Sequence, residues 1–178
     1  MDVPGTPAPV TPAAAARPGE TSPDGPPALP RDAAETVERA AADEAAAAQA
    51  RVRFRIGEVP SVEDDEVGPD LLEAGERLIA VRKRVALERR EPPHTDGCGL
   101  SGTLYLTSNR LGLAGRNPVE FPIDGIRETA LVGERVVVSL RTGQFVWIQC
   151  DAPRLLRVEI ASARASVRAP RPRTQRPR

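Results

Sequence analysis

The chain has 178 residues, with 25 basic and 25 acidic side chains, 19 prolines and three per cent aromatics. That leaves room for one domain with extensions, and places much of the chain outside any core. Two cysteines, Cys98 and Cys150, make neither a disulfide framework nor a metal motif, no secretory signal opens the chain, and no run nears the roughly 20 apolar residues of a membrane span.

The zero net charge hides an asymmetry. Residues 1–68 carry thirteen acidic and six basic side chains, net −7, and residues 69–178 carry twelve and nineteen, net +7. A basic domain with an acidic extension can pair with itself or with an anionic partner. Lys83 is the only lysine, and the Arg, Ala, Pro and Gly bias suits a GC-rich, actinobacterial-looking genome.

Residues 1–30 are Pro/Ala-rich with few large apolar groups, so they cannot offset the entropy of ordering and are expected to be disordered. Asp32 with Glu35 makes a capping-box-like start, and the alanines that follow predict a helix over 31–53, its centre at about 33–50. Val37 is the only large apolar residue of 33–50, so a solvated spacer is the expectation. RVRFRIGEV, Arg51–Val59, alternates like a strand and equally reads as the frayed end of that helix. Residues 54–68 are an acidic linker, with a domain boundary near Pro69.

From Leu71 the texture becomes that of a folded domain, residues 69–168. Ile79, Val81, Val85 and Leu87 share parity and predict a strand over about 77–88, although a helix also fits. RREPPHTDGCGLS reads as loop. In GTLYLTSNRLGLAG, Leu104 and Leu106 take one face, Thr103, Tyr105 and Thr107 the other. A turn at Ser108-Asn109 then returns the chain through Leu111 and Leu113. Short strands follow at 119–123, 125–132, 135–140 and 144–150. Strands this short and evenly spaced suggest a barrel or sandwich. Asp151 is a candidate cap for a C-terminal helix, and Leu156, Ile160, Ala163 and Val167 form its apolar stripe. Residues 169–178 are a basic Pro/Arg tail.

The fold class is therefore mainly β: about seven antiparallel strands in a small barrel or sandwich, capped by one C-terminal helix. That architecture resembles the pleckstrin-homology-like superfold. The residues that sharpen the resemblance are Gly75-Glu76, the hairpin set Gly102, Leu104, Tyr105, Leu106, Thr107, Arg110 and Leu111, and Phe121 with Ile123 before Asp124-Gly125-Ile126. Over roughly residues 71–168 these are similar to a GRAM domain. Gly112, where a larger residue is expected, marks a bulge or a close contact.

The resemblance implies a non-catalytic binding or adaptor module that meets a protein partner, or weakly touches a membrane surface from the cytoplasm. An alternative is an anionic-lipid sensor. Domains of this superfold that bind phosphoinositides use Lys and Arg around the first hairpin, which here implies Arg82, Lys83, Arg84, Arg89, Arg90 and Arg110, with the Tyr105 face beside them. A third reading is a metal site or enzyme at His94, Asp96 and Cys98, whose spacing matches no common ligand set. Gly97–Gly102 spells G-x-G-x-x-G but precedes a strand, where a dinucleotide site needs a helix. No cofactor or metal is expected. The tail lacks aromatics for base stacking, so nucleic acid is not expected either.

Overall fold

The computed structural model describes residues 31–59, 62, 72–90 and 98–168. Helix α1 spans Arg31–Arg55. The alternating RVRFR run is thus its last turn, and Val52 and Ile56 remain exposed. Gly57 stops the helix at φ 82, with Glu58 N–H donating to Arg53 O at 3.0 Å and Gly57 N–H to Phe54 O at 3.1 Å. This is a Schellman closure, in which a left-handed glycine satisfies the last carbonyls.

The strands are β1 (Leu78–Arg90), β2 (Cys98–Thr107), β3 (Arg110–Ala114), β4 (Val119–Pro122), β5 (Ile126–Val132), β6 (Arg135–Leu140) and β7 (Phe145–Gln149). All neighbours are antiparallel, in the order β4-β3-β2-β1-β7-β6-β5. The thirteen-residue β1 joins two halves: it pairs with β2 along its length and with β7 from Ala86 to Arg90. A register shift between Arg82 and Val85 bends it, and Arg84 there takes the left-handed φ of 54. Bulges increase local twist, and this one lets a single strand serve both halves. The sheet is open between β4 and β5. A short 3-10 turn, Ile123–Gly125, crosses that gap with Ile123 and Ile126 fully buried.

Both ends of the expected loop RREPPHTDGCGLS are strand. Arg89 and Arg90 belong to β1, and β2 already begins at Cys98, opposite Arg89. Of the glycines near Cys98, Gly102 serves a close crossing: a Cβ there would lie 2.0 Å from the Ala114 carbonyl oxygen of β3, whereas one on Gly99 would meet nothing within 4 Å. The Ser108-Asn109 turn is as expected, and Thr107 Oγ1 accepts from the Asn109 and Arg110 amides at 3.2 and 3.0 Å.

Helix α2 (Pro153–Arg168) covers the concave side of the sheet. Leu156, Ile160 and Ala163 sink into one core with Val85, Leu87, Leu104, Leu106, Val136, Val138, Val146 and Ile148. Each such Leu or Ile contributes roughly 1.5–3 kcal/mol by leaving water. Val167, expected to extend the stripe, is 44% exposed because the helix runs past the sheet there.

The cap of α2 comes from elsewhere in the chain. Leu156 N–H donates to Ala152 O, so alanine holds the N-cap position and offers no side-chain oxygen. Asp151 was expected to cap; instead Asp43 of α1 accepts from the amides of Arg154 (2.8 Å) and Leu155 (2.9 Å). These are the second and third helical residues, the two donors a cap satisfies. Arg154 returns its guanidinium to Asp43 (3.6 Å) and Glu44 (3.5 Å). With Asp43 and Ala47 buried, α1 is docked on α2 and is not a solvated spacer. Its alanines allow close approach, and one carboxylate supplies the specific contact.

Candidate functional site: two outer faces of the sheet

The convex side of the sheet has two regions. Over β2 and β3 it is closed. Leu104 and Leu106 face the core, while Tyr105 and Thr107 on the opposite face are 2% and 0% exposed. Tyr105 packs with Leu78, Val62, Leu72, Val81 and Ala114. Its ring lies over Gly112, where a Cβ would fall 2.1 Å from Tyr105 Cζ. Of the two expectations for Gly112, close contact is the one observed. The Tyr105 hydroxyl donates to Glu120. Burial first, and that carboxylate second, push its pKa well above the ordinary tyrosine range.

Beside it lies a network of charges. Glu76, whose side chain is wholly out of solvent, accepts from the Thr107 hydroxyl, from Arg110 Nη2 at 3.0 Å and from the Glu73 amide at 2.9 Å. Arg110 Nη1 also donates to Glu120 at 2.9 Å and lies 3.7 Å from Glu73. A buried carboxylate needs such pairing, because desolvation without it is costly. The Gly75-Glu76 turn and Arg110, read from sequence as motif and ligand residue, are here the two ends of one internal tie. Sequence reasoning left Tyr105 exposed; both faces of β2 are covered.

The other expected ligand arginines diverge. Arg82 Nη2 donates to both Glu159 oxygens, at 2.9 and 2.8 Å, tying β1 to α2. Burial pushes the Glu159 carboxyl up, with the Arg82 charge opposing. Arg89 turns inward, its guanidinium 6.0 Å from the centre of the Phe121 ring. Arg90 points outward, stacked 4.9 Å over Trp147 and paired with Glu88 at 2.8 Å. Lys83 and Arg84 are exposed at the β1 bulge, and Arg84 lines a cleft with Arg39 of α1 and with Cys150. Burial raises the Cys150 thiol pKa. The six cations thus point to several places, not to one patch.

Over β5, β6, β7 and β1 the convex side is open. Three rows cross it: Glu88–Trp147–Val137–Ala130, Arg90–Phe145–Ser139–Glu128 and Ala86–Gln149–Arg135–Val132. Phe145 is 39% and Val132 50% exposed. Together with Trp147 and Val137 they line an open groove of about 370 Å³. Glu128 at its edge has no ion-pair partner among the described residues. This face was missed from sequence. The signal was present: in QFVWIQC, Val146 and Ile148 take the core face, which leaves two aromatics on the face that should be wet.

His94 and Asp96 of the third reading lie outside the described residues, as do most of the linker and both chain ends. Among the described residues no three His, Cys, Asp or Glu side chains converge as a metal site needs. No described helix is long and apolar enough to cross a membrane.

The class this geometry defines is a mainly β domain: a bent, open, seven-stranded antiparallel sheet closed by a C-terminal helix, with an N-terminal helix docked on that helix. Against known proteins, no family model matches the chain and no curated protein does. Among solved structures it is similar to the C-terminal domain of an unknown protein from Leishmania infantum. That match has 17% identity and a TM-score of 0.31, over 46% of this chain and 74% of that one. It is also similar to the N-terminally truncated linker-DH/PH domains of p115-RhoGEF. Here identity is 12% and TM-score 0.41, over 79% of this chain and 46% of that one. The strand order, not these slight likenesses, carries the description of the fold.

Proposed function

We propose that the chain is a non-catalytic binding module, akin to GRAM domains, which receives a protein segment on the convex face of β5, β6, β7 and β1. The observation that supports this is the placement of Phe145 and Trp147. An antiparallel sheet with one buried side alternates apolar-in and polar-out. Two neighbouring aromatics on the outer side, with Val132 and Val137 beside them, break that rule at a cost in solubility. Aromatic residues rimmed by charge are the usual composition of an interaction surface.

Affinity capture from the native cell tests the reading by comparing three forms. The wild type and the Lys83→Glu/Arg84→Glu variant should retain the same polypeptides, and Phe145→Ser/Trp147→Ser should lose them. An unchanged set from the aromatic variant overturns it.

A second reading has its own observation. Lys83 and Arg84 are adjacent, exposed and raised on a bulge, which would let them meet an anionic lipid surface. It expects co-sedimentation with anionic vesicles at low salt, lost on Lys83→Glu/Arg84→Glu and on raising the salt. Protein left in the supernatant at low salt removes it. Arg82, Arg90 and Arg110 already hold carboxylates, which weakens the case for a broad phosphate site.

A further inference from the structure

We infer that the chain's own Pro/Arg tail, residues 169–178, folds back across the Phe145–Trp147 groove and covers it in cis. The inference rests on the reading of that face as a docking surface and names its resident occupant.

Position comes first. The Arg164 guanidinium donates to the Arg127 carbonyl, so the end of α2 is fastened to the start of β5. Glu128, the next residue, already belongs to the outer face, and β5 is an edge strand. The tail therefore starts about one helical turn beyond a residue that touches the rim of the groove. Ten residues in an extended polyproline form reach about 30 Å at roughly 3.1 Å each. Four strands at roughly 4.8 Å spacing make a face about 15 Å wide. The tail is long enough to round the β5 edge and cross it.

Chemistry agrees with position. APRPRTQRPR has three prolines, four arginines and no acidic side chain. Pro-rich segments dock on aromatic-lined grooves because their extended form is already set and little entropy is lost. Arginine stacks on aromatic planes, as Arg90 already does on Trp147. Glu128, without an ion-pair partner among the described residues, offers its carboxylate at the side from which the tail arrives. A tether also raises the local concentration of the tail to about millimolar, so weak intrinsic affinity suffices. The consequence is regulation: a partner must displace the tail, and a partner segment of similar Pro/Arg character competes best.

Trp147 is the only tryptophan, so its fluorescence reports on the groove alone. The test compares acrylamide quenching of the full chain with that of a chain ending at Arg168, with circular dichroism to confirm that both are folded. With a tethered segment near half occupancy, truncation should raise the quenching constant about two-fold and shift emission to the red. Synthetic APRPRTQRPR added to the truncated chain should reverse both changes, and Glu128→Lys in the full chain should weaken the protection. Equal quenching of the two chains at low salt overturns the proposal. Protection that survives truncation but falls on dilution assigns the groove to a second copy and also overturns it. Neither result touches the capture experiment on Phe145 and Trp147, so failure of cis covering and failure of the docking face are separable.

Discussion

Strands β2 and β7 read alike in sequence and differ in what covers them. LYLT of β2 and FVWI of β7 both place alternate residues on the core, and both put an aromatic on the opposite face. In β2 that aromatic, Tyr105, is buried beneath Val62, Leu72 and Val81, with its hydroxyl on Glu120. In β7 the aromatics Phe145 and Trp147 line an open groove with Val132 and Val137, with Arg90 and Glu128 at its rim. Alternation sorts side chains into two faces. It does not say which face stays wet, because the cover arrives from distant residues. A closed face is a structural device, and an open one is available for a partner.

The comparison can be broken most strongly at the closed face. Arg110→Ala leaves Glu76 as a buried carboxylate with its cation gone, and removing one partner of such a pair costs about 3–5 kcal/mol. Urea unfolding should show that loss while vesicle binding is unchanged. Weaker vesicle binding without loss of stability would make Arg110 a ligand residue after all. Leu104→Ala should cost about 2–5 kcal/mol, as core truncations do. Phe145→Ser, on the open face, should stay near the ±0.5 kcal/mol typical of surface changes. Similar losses at both sites would mean that the β7 face is not open.

Gly112→Ala sharpens the account of the closed face. The new methyl meets the Tyr105 ring, and overpacking of this kind costs about 1–3 kcal/mol. Combined with Tyr105→Ala, the glycine change should become nearly silent, and additivity of the two would refute the contact. Asp43→Ala removes the borrowed cap of α2 and should cost about 1 kcal/mol, with Asp43→Asn retaining part of it. If Asp43→Ala matches wild type in thermal unfolding, α1 does not stabilise α2 through this contact.

The smallest expected effect is in pH dependence. The Glu159 carboxyl is held above its ordinary value, chiefly by burial. A raised acid favours the folded state most below the unfolded pKa, and that contribution is lost as pH rises through the folded pKa. Stability relative to Glu159→Gln should therefore fall as pH climbs through the acidic range and level off above it. A difference that grows with pH instead would show that Arg82, not burial, governs this group.

Much of the frame was legible in the chain. The hairpin at Ser108-Asn109, the strands at 126–132 and 135–140 and the buried Leu156–Ile160–Ala163 stripe follow from period and turn chemistry. Arg89, Arg90 and Cys98–Ser101 did not, since the prolines and glycines nearby mask strands that pairing of β1 with β2 and β7 enforces. The sorting of the arginines was not legible either. Arg82, Arg84, Arg89 and Arg90 lie within nine residues of one strand, yet they meet α2, the cleft beside α1, Phe121 and Trp147 respectively.

By itself, then, the sequence determined the strand and helix pattern and which residues share a face, because periodicity and turn propensity act over a few residues. Tertiary structure alone decided that Asp43 caps a helix more than a hundred residues away, that Arg110 is sequestered by Glu76, and that Trp147 rather than Tyr105 faces outward. The reason is physical. Burial, charge pairing and capping depend on what lies within a few ångströms in space, and β1 bends across both halves of the sheet to bring distant segments into that range.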